Sequence, residues 1–99
     1  MMFESISVKS LNSLINDPDV IIVDLRDESD YKKNHVKNAI NINHNKLFDS
    51  LEKLDKKRII VLYCERGSIS LIAAKKLSEM GYMVKTVIGG INMYKARYK

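Results

Sequence analysis

The chain has 99 residues, of which 45% are hydrophobic and 29% are charged, and its formal net charge is +5. This size predicts a single domain over residues 1–99 with one modest core, and this balance excludes an intrinsically disordered chain. No apolar run approaches the roughly 20 residues that span a bilayer, and no basic start precedes an apolar segment, so we expect a cytoplasmic protein with no membrane partner.

The first half of the chain predicts alternating strands and helices. Phe3 to Ile6 is a short strand candidate, and Ser7 can cap a helix over Val8 to Asn16. Val20 to Val23 is a continuous β-branched run, which is typical of a strand covered on both faces. A short helix is expected before the next strand, Ala39 to Ile42.

The second half continues this alternation. Its predicted elements are a helix over Asn45 to Asp55, a strand over Ile59 to Tyr63, a helix over Ser70 to Met80, a strand over Val84 to Val87 and a helix over Ile91 to Arg97. Such an order predicts an α/β domain with a mainly parallel sheet. Ligands of open parallel sheets bind beyond the carboxyl ends of the strands. Cys64, the first residue after a strand, is therefore expected at the floor of this crevice rather than in the core.

The single cysteine is the first candidate for chemistry. Because the chain has one cysteine, an internal disulfide, a CxxC redox pair and a cysteine-rich zinc site are all excluded. A lone cysteine is usually a small apolar residue buried in the core. Here it begins the segment Cys64-Glu65-Arg66-Gly67-Ser68-Ile69-Ser70, between a strand and a helix. A tight curl, which Gly67 permits, would aim backbone N–H groups and the helix N-terminus at one point. This loop is predicted to stabilise an anion, either the Cys64 thiolate or its persulfide.

Three blocks of the sequence resemble the signatures of single-domain rhodaneses, a family of sulfurtransferases. They resemble, in turn, the first signature, the active-site loop and the closing signature of that family. The blocks are Asp24-Leu25-Arg26 with Tyr31 and His35 to Ile42, then Cys64-x-x-Gly67-x-x-Ser70, then Gly81-Tyr82 with Val84 and Gly89-Gly90-Ile91. They follow the family's order and spacing from about Ser7 to Tyr94.

The resemblance implies a three-layer α/β fold with a five-stranded sheet flanked by helices, and an enzyme without a metal or organic cofactor. It implies that the Cys64 thiolate takes sulfur from a small donor, thiosulfate or a persulfide, and passes it to cyanide or to a thiol, which can belong to a protein. Residues 65–70 would bind the donor and the persulfide. Ile69 stands where many members carry arginine, which favours a neutral, apolar or protein-bound donor over thiosulfate.

Other interpretations of the chain stay open. One is a carrier or protein-interaction module of the same fold, which a protein partner rather than a small donor would load with sulfur. Another is a cysteine-loop phosphatase, which is disfavoured because Ser70 stands where that chemistry needs arginine. A nucleic-acid partner is not expected, because the lysines are spread along the chain without a basic stripe or a reader motif.

Several conspicuous residues have plainer interpretations. Asp24 and Arg26 are expected to form a cap or an ion pair beside a turn, and His35 to make a hydrogen bond in its turn. His44 is expected to begin a helix rather than to bind metal. Asn38 replaces a glycine of the rhodanese pattern, and asparagine tolerates the left-handed conformation that this turn requires.

Overall fold

The two β-branched runs form the centre of a sheet, since strands covered on both faces need apolar side chains at successive positions. This is seen in a computed structural model that describes residues 3–98. Its helices and strands are β1 (Glu4–Ile6), α1 (Val8–Leu14), β2 (Val20–Asp24), α2 (Glu28–Lys33), β3 (Ile40–Asn41), β4 (Ile59–Tyr63), α3 (Ser68–Glu79), β5 (Met83–Val87) and α4 (Gly90–Arg97). Two 3₁₀ segments, His44–Asp49 and Leu51–Lys53, lie between β3 and β4.

The sheet has the strand order β1-β5-β4-β2-β3, and every pairing between neighbouring strands is parallel. The predicted α/β class is therefore confirmed, and the sheet expected to be mainly parallel is parallel throughout. Strands β2 and β4 pair over their full length, from Val20 opposite Ile59 to Asp24 opposite Tyr63. Their carboxyl ends consequently finish side by side, at the edge where parallel sheets bind ligands.

Alternating side chains along the strands build a core on each face of the sheet. Ile21 and Val23 pack with residues of α3 and the 3₁₀ segments, whereas Val20 and Ile22 pack with residues of α1 and α4. The period of two along a strand produces this division. The result is the expected three-layer arrangement, with helices on both faces.

The structure changes several of the predicted elements; helix α1, for example, ends at Leu14 rather than Asn16. The helix predicted over Asn45 to Asp55 is replaced by the two 3₁₀ segments, and Leu47 in the first and Leu54 directly after the second still reach the core. Backbone hydrogen bonds there join residues three apart, from Ser50 to Leu47 and from Leu54 to Leu51. The third strand is shorter than predicted, at two residues. Helix α3 begins at Ser68 instead of Ser70, directly after the left-handed Gly67.

The length and polarity of the helices bear on membrane insertion. Among residues 3–98, no helix is both long and apolar enough to cross a bilayer. The longest, α3, has 12 residues, whereas a spanning helix needs about 20.

Candidate active site

The loop after β4 wraps its backbone around the cysteine sulfur. The N–H of Gly67 donates to Cys64 Sγ at 3.1 Å, and the N–H of Ser70, in the first turn of α3, donates to it at 3.4 Å. Gly67 has a φ of 107°, which reverses the chain so that α3 starts pointing at the sulfur. The sulfur thus lies at the positive end of the helix dipole, where negative charge is stabilised. The predicted curl of this loop and the positive φ of Gly67 are both present.

Two hydroxyl groups lie behind the sulfur. Ser70 Oγ is 3.7 Å from Cys64 Sγ and donates to the carbonyl of Gly67 at 3.1 Å. Thr86, on β5, donates from its own hydroxyl to Ser70 Oγ at 2.8 Å. Thr86 was not among the residues predicted for the site, because nothing near it in the sequence relates it to the cysteine loop; the pairing of β4 with β5 brings it there.

The Gly89-Gly90 pair brings the N-terminus of α4 against the cysteine loop. At the start of α4, the N–H of Ile91 donates to the Cys64 carbonyl at 2.9 Å, and that of Asn92 donates to the Glu65 carbonyl at 3.1 Å. A Cβ added to Gly90 would lie 2.6 Å from the Glu65 carbonyl oxygen. Only glycine allows this approach, so the helix α4 N-terminus holds the cysteine loop from the side opposite to α3.

A buried ion pair supports the loop from below. Asp24 and Arg26 are 0% and 8% exposed, and Arg26 Nη2 lies 2.9 Å from Asp24 Oδ2. The Tyr63 hydroxyl donates to the same carboxylate oxygen at 2.7 Å. Arg26 Nη1 also lies 3.7 Å from a carboxylate oxygen of Glu65, in the cysteine loop. The expected ion pair is therefore confirmed, and it connects the ends of β2 and β4 with the loop.

The protonation of this network follows from its burial. Burial by itself lowers the pKa of Arg26, but the hydrogen bonds and charge of Asp24 outweigh it, so the pKa is raised overall. Burial, and then the Asp24 charge, raise the pKa of Tyr63. Arg26 consequently stays charged and Tyr63 stays a hydrogen-bond donor across the physiological pH range.

The side chains of Glu65, Arg66, Ser68 and Ile69 are exposed around the sulfur. Two pockets flank them, one on each side of the first turns of α3. The first, of about 200 Å³, is lined by His44, Phe48, Ile69, Ile72, Ala73 and Lys76. The second, of about 250 Å³, includes Arg66, Leu71, Thr86 and Ile88 in its lining. Both pockets thus combine apolar side chains with isolated basic groups.

Cys64 is less accessible than the sequence suggested. The residue is 4% exposed and belongs to the core cluster with Leu62, Ala73 and Ala74. The expectation that it would lie outside the core is therefore wrong. The reason is that the loop and the first turn of α3 close over the cysteine, with the N–H groups of Gly67 and Ser70 against its sulfur.

The two histidines have the plain roles predicted for them. His35 Nδ1 lies 2.8 Å from the Tyr31 carbonyl, and the two rings stack with centroids 3.8 Å apart. His44 begins the first 3₁₀ segment. Asn38 has a φ of 69°, the left-handed conformation expected where the rhodanese pattern has glycine. Within residues 3–98, histidine, cysteine, aspartate and glutamate form no group of three suited to a metal ion.

Comparison with known proteins agrees with this geometry. A thiosulfate sulfurtransferase GlpE of Coxiella burnetii is 34% identical over 99 residues, which cover 99% of this chain and 92% of that protein. A tRNA sulfurtransferase of Desulfurococcus amylolyticus is 35% identical over 78 residues, which cover 79% of this chain and 15% of that larger protein.

A solved structure shares the fold, and a family model matches most of the chain. The crystal structure of a rhodanese-related protein from Thermoplasma volcanium matches with a TM-score of 0.89 at 24% identity, over 97% of this chain and 94% of that one. The model of the family described as Rhodanese-like domain matches residues 7–97. The resemblance seen in the three sequence blocks is therefore confirmed, and the chain belongs to the rhodanese-like domain family.

Proposed function

We propose that this protein is a sulfurtransferase in which Cys64 accepts a sulfur atom as a persulfide and passes it to a nucleophilic acceptor. One observation carries the proposal: the N–H groups of Gly67 and Ser70 converge on Cys64 Sγ at 3.1 and 3.4 Å, at the start of a 12-residue helix. An anion at this position receives two hydrogen bonds and the favourable end of the helix dipole. Thiolate and persulfide are both anions, so one site serves both stages.

The reaction divides into two displacements. The Cys64 thiolate attacks the outer sulfur of the donor, a new S–S bond forms, and the bond from that sulfur to the rest of the donor breaks. With thiosulfate the leaving group is sulfite, which carries away the electron pair and both negative charges of the donor. A thiolate or cyanide then attacks the outer sulfur of the persulfide, and the Cys64 thiolate leaves. The first step needs the activated Cys64 thiolate and the second needs the acceptor nucleophile, and neither needs an oxidant, a reductant or a further reactant.

The walls of the site favour a donor with apolar character. Ile69 is 40% exposed and shares its pocket with Phe48 and Ile72. Glu65 and Arg66 carry opposite charges, so the loop side chains present no net charge to a dianion. The name of the Coxiella relative includes thiosulfate as donor, but we propose a neutral, apolar or protein-bound persulfide as the preferred donor here.

The proposal is tested by incubating the purified protein with a sulfur donor and measuring its mass by mass spectrometry. We expect incubation with a low-molecular-weight persulfide to add the mass of one sulfur atom to Cys64. A thiol acceptor should then remove that mass and restore the original protein. The Cys64→Ser variant, which keeps the size of the side chain but not its nucleophilicity, should gain no sulfur. Sulfur addition to a folded Cys64→Ser protein, or none to the wild type with any donor class, would refute the proposal.

A carrier without turnover of small donors is the second candidate. Its support is the burial of Cys64 together with exposed apolar side chains around the loop, among them Ile72 at 62% and Ile88 at 57%. Such a surface suits contact with another protein. The mass experiment separates the two functions: a carrier gains sulfur from a protein-bound persulfide but not from thiosulfate or a small persulfide.

A further inference from the structure

A chain of two buried hydroxyl groups ends at the cysteine sulfur. Thr86 donates to Ser70 Oγ at 2.8 Å, and Ser70 Oγ lies 3.7 Å from Cys64 Sγ. Thr86 is 3% exposed and Ser70 is 0% exposed. Because bulk water does not reach them, both hydroxyls must find their hydrogen-bond partners inside the protein. The other hydrogen bonds of Ser70 therefore determine whether its hydroxyl group can donate to the sulfur.

Counting protons shows what the pair can do. Ser70 has one hydroxyl proton and two acceptors within reach, the Gly67 carbonyl at 3.1 Å and the sulfur of Cys64 at 3.7 Å. When Cys64 is a thiol, its S–H can donate a hydrogen bond to Ser70 Oγ, and the serine hydroxyl then donates to the Gly67 carbonyl. A sulfur anion can only accept, so the serine proton can turn to it instead. Ser70 can thus accept a hydrogen bond from the Cys64 thiol or donate one to the anionic sulfur.

Thr86 decides how well Ser70 can donate. Its proton occupies an acceptor position of Ser70 Oγ, so the serine proton is directed away from Thr86, towards Gly67 and the sulfur. A hydroxyl that accepts a hydrogen bond also becomes a stronger donor, because hydrogen bonds in a chain polarise one another. The side chain of Thr86 is β-branched and stands on strand β5, so its hydroxyl is held in one orientation.

We propose that Thr86 is a positioning residue of the active site, which acts through Ser70 to stabilise the anionic sulfur of Cys64. The residue lies outside the cysteine loop and beyond helix α3, 22 positions after the cysteine in the sequence. Pairing of Thr86 with Leu62, two residues before Cys64, brings it under the loop. The use of this anion in sulfur transfer rests on the proposed function; its stabilisation by Thr86 does not.

The test removes the Thr86 hydroxyl and follows the charge on the sulfur. In Thr86→Val, which keeps the shape and suits a strand, the pH midpoint of the thiolate's ultraviolet absorbance should rise by about 0.5 unit, or about three-fold in the ionisation constant. The absorbance of each variant is compared with that of the same variant carrying Cys64→Ser, so that the absorbance of the tyrosines is subtracted. Thr86→Ser, which keeps a hydroxyl, should restore the wild-type midpoint.

Two further variants show whether Thr86 acts through Ser70. Ser70→Ala should raise the same midpoint by about one unit, since it removes a direct hydrogen bond to a charged group. The double variant should match Ser70→Ala, because Thr86 then has no serine to act on. The control is Ser78→Ala. Ser78 is also buried in α3, and its hydroxyl donates to the carbonyl of Lys75 at 2.8 Å. This hydrogen bond to a carbonyl three residues earlier is of the same kind as the one from Ser70 to Gly67. Ser78→Ala should leave the midpoint unchanged.

The outcomes separate this proposal from a structural role and from the proposed function. If Thr86→Val lowers the melting temperature but not the midpoint, or if its effect adds to that of Ser70→Ala, Thr86 does not act on the sulfur. If the valine variant fails to fold, Thr86→Ala is measured with the same two outcomes. Because the midpoint needs no sulfur donor, failure of the wild type to gain sulfur would refute the proposed function and leave this test valid.

Discussion

At the scale of single residues, backbone N–H groups surround the sulfur of Cys64, and the side chains of the loop contribute little net charge. The N–H groups of Gly67 and Ser70 donate to Cys64 Sγ, while Ile69 occupies the position where many rhodaneses carry arginine. Under the proposed function, backbone N–H groups would stabilise the sulfur anion in the same way for every sulfur donor. Charged side chains at the rim, by contrast, attract or repel particular donors, so donor choice is expected to depend on residues such as Ile69.

This argument predicts a gain of thiosulfate use in Ile69→Arg. A charge at the rim of an open pocket is worth about 1 kcal/mol after screening by solvent, which is about five-fold in kcat/KM. The gain should shrink as salt is added. Ile72→Arg is the matched control, because it adds the same charge to the same pocket but three residues, nearly one helical turn, further from the loop. Equal gains in the two variants, or none at low salt, would show that rim charge does not select the donor.

At the scale of secondary structure, two helix N-termini meet at one loop. Helix α3 aims its first N–H groups at the sulfur, and helix α4 aims its own at the carbonyls of Cys64 and Glu65. The loop is thereby held from both sides, which keeps the N–H donors in place around the sulfur. The Gly89-Gly90 pair makes this possible, since a side chain at Gly90 would collide with the loop.

Gly90→Ala is therefore expected to damage both stability and activity. The new Cβ would lie 2.6 Å from the Glu65 carbonyl oxygen, so the loop or α4 must move. Gly81→Ala is the matched control: Gly81 also has a positive φ, of 95°, but its Cβ would meet nothing nearer than Lys56 Nζ at 3.8 Å.

Urea unfolding and the rate of sulfur loading measure the two effects. Gly81→Ala should lose about 1–2 kcal/mol of stability through backbone strain and keep its rate of loading. Gly90→Ala should lose more stability than that, and its rate of loading should fall. If the two alanine variants behave alike, the clamp on the loop has no role beyond the backbone conformation of its glycine.

At the scale of the whole molecule, the buried network beneath the loop couples the fold to pH. Burial and the charge of Asp24 raise the pKa of Tyr63 in the folded protein above its ordinary value. An unfolded tyrosine has a pKa of about 10. Below pH 10 both states keep the proton, and tyrosine ionisation does not affect folding. Above it, the unfolded state releases the proton while the folded state retains it, so stability is lost as the pH rises.

The Tyr63→Phe variant should remove this part of the alkaline destabilisation. One such tyrosine costs the fold about 1.4 kcal/mol per pH unit above pH 10, so the unfolding free energy of the variant should fall less steeply by about that amount. Tyr94→Phe serves for comparison. Burial and neighbouring Tyr98 raise the pKa of Tyr94 too, but it is only half-buried and should change the slope less. Parallel slopes for wild type and Tyr63→Phe, measured by urea unfolding between neutral and alkaline pH, would contradict this account.

Local patterns by themselves determined the fold class and the position of the cysteine loop. The β-branched runs at Val20 and Ile59 predict central strands because such runs suit only a strand covered on both faces. Cys64, Gly67 and Ser70 lie within seven residues, so one turn of chain is enough to bring them together. The left-handed turn at Asn38 was likewise predictable, since it depends on the residue that occupies it.

Contacts between distant segments decided the rest. Thr86 reaches Ser70, and Arg26 reaches Glu65, because strands β2, β4 and β5 end side by side, and strand order is not written in any local pattern. Burial of Cys64 also depends on tertiary structure, since the first turn of α3 closes over a residue whose sequence position suggested exposure. The sequence determined which loop holds the sulfur, and packing determined what surrounds it, because solvent is excluded only when separate elements come together.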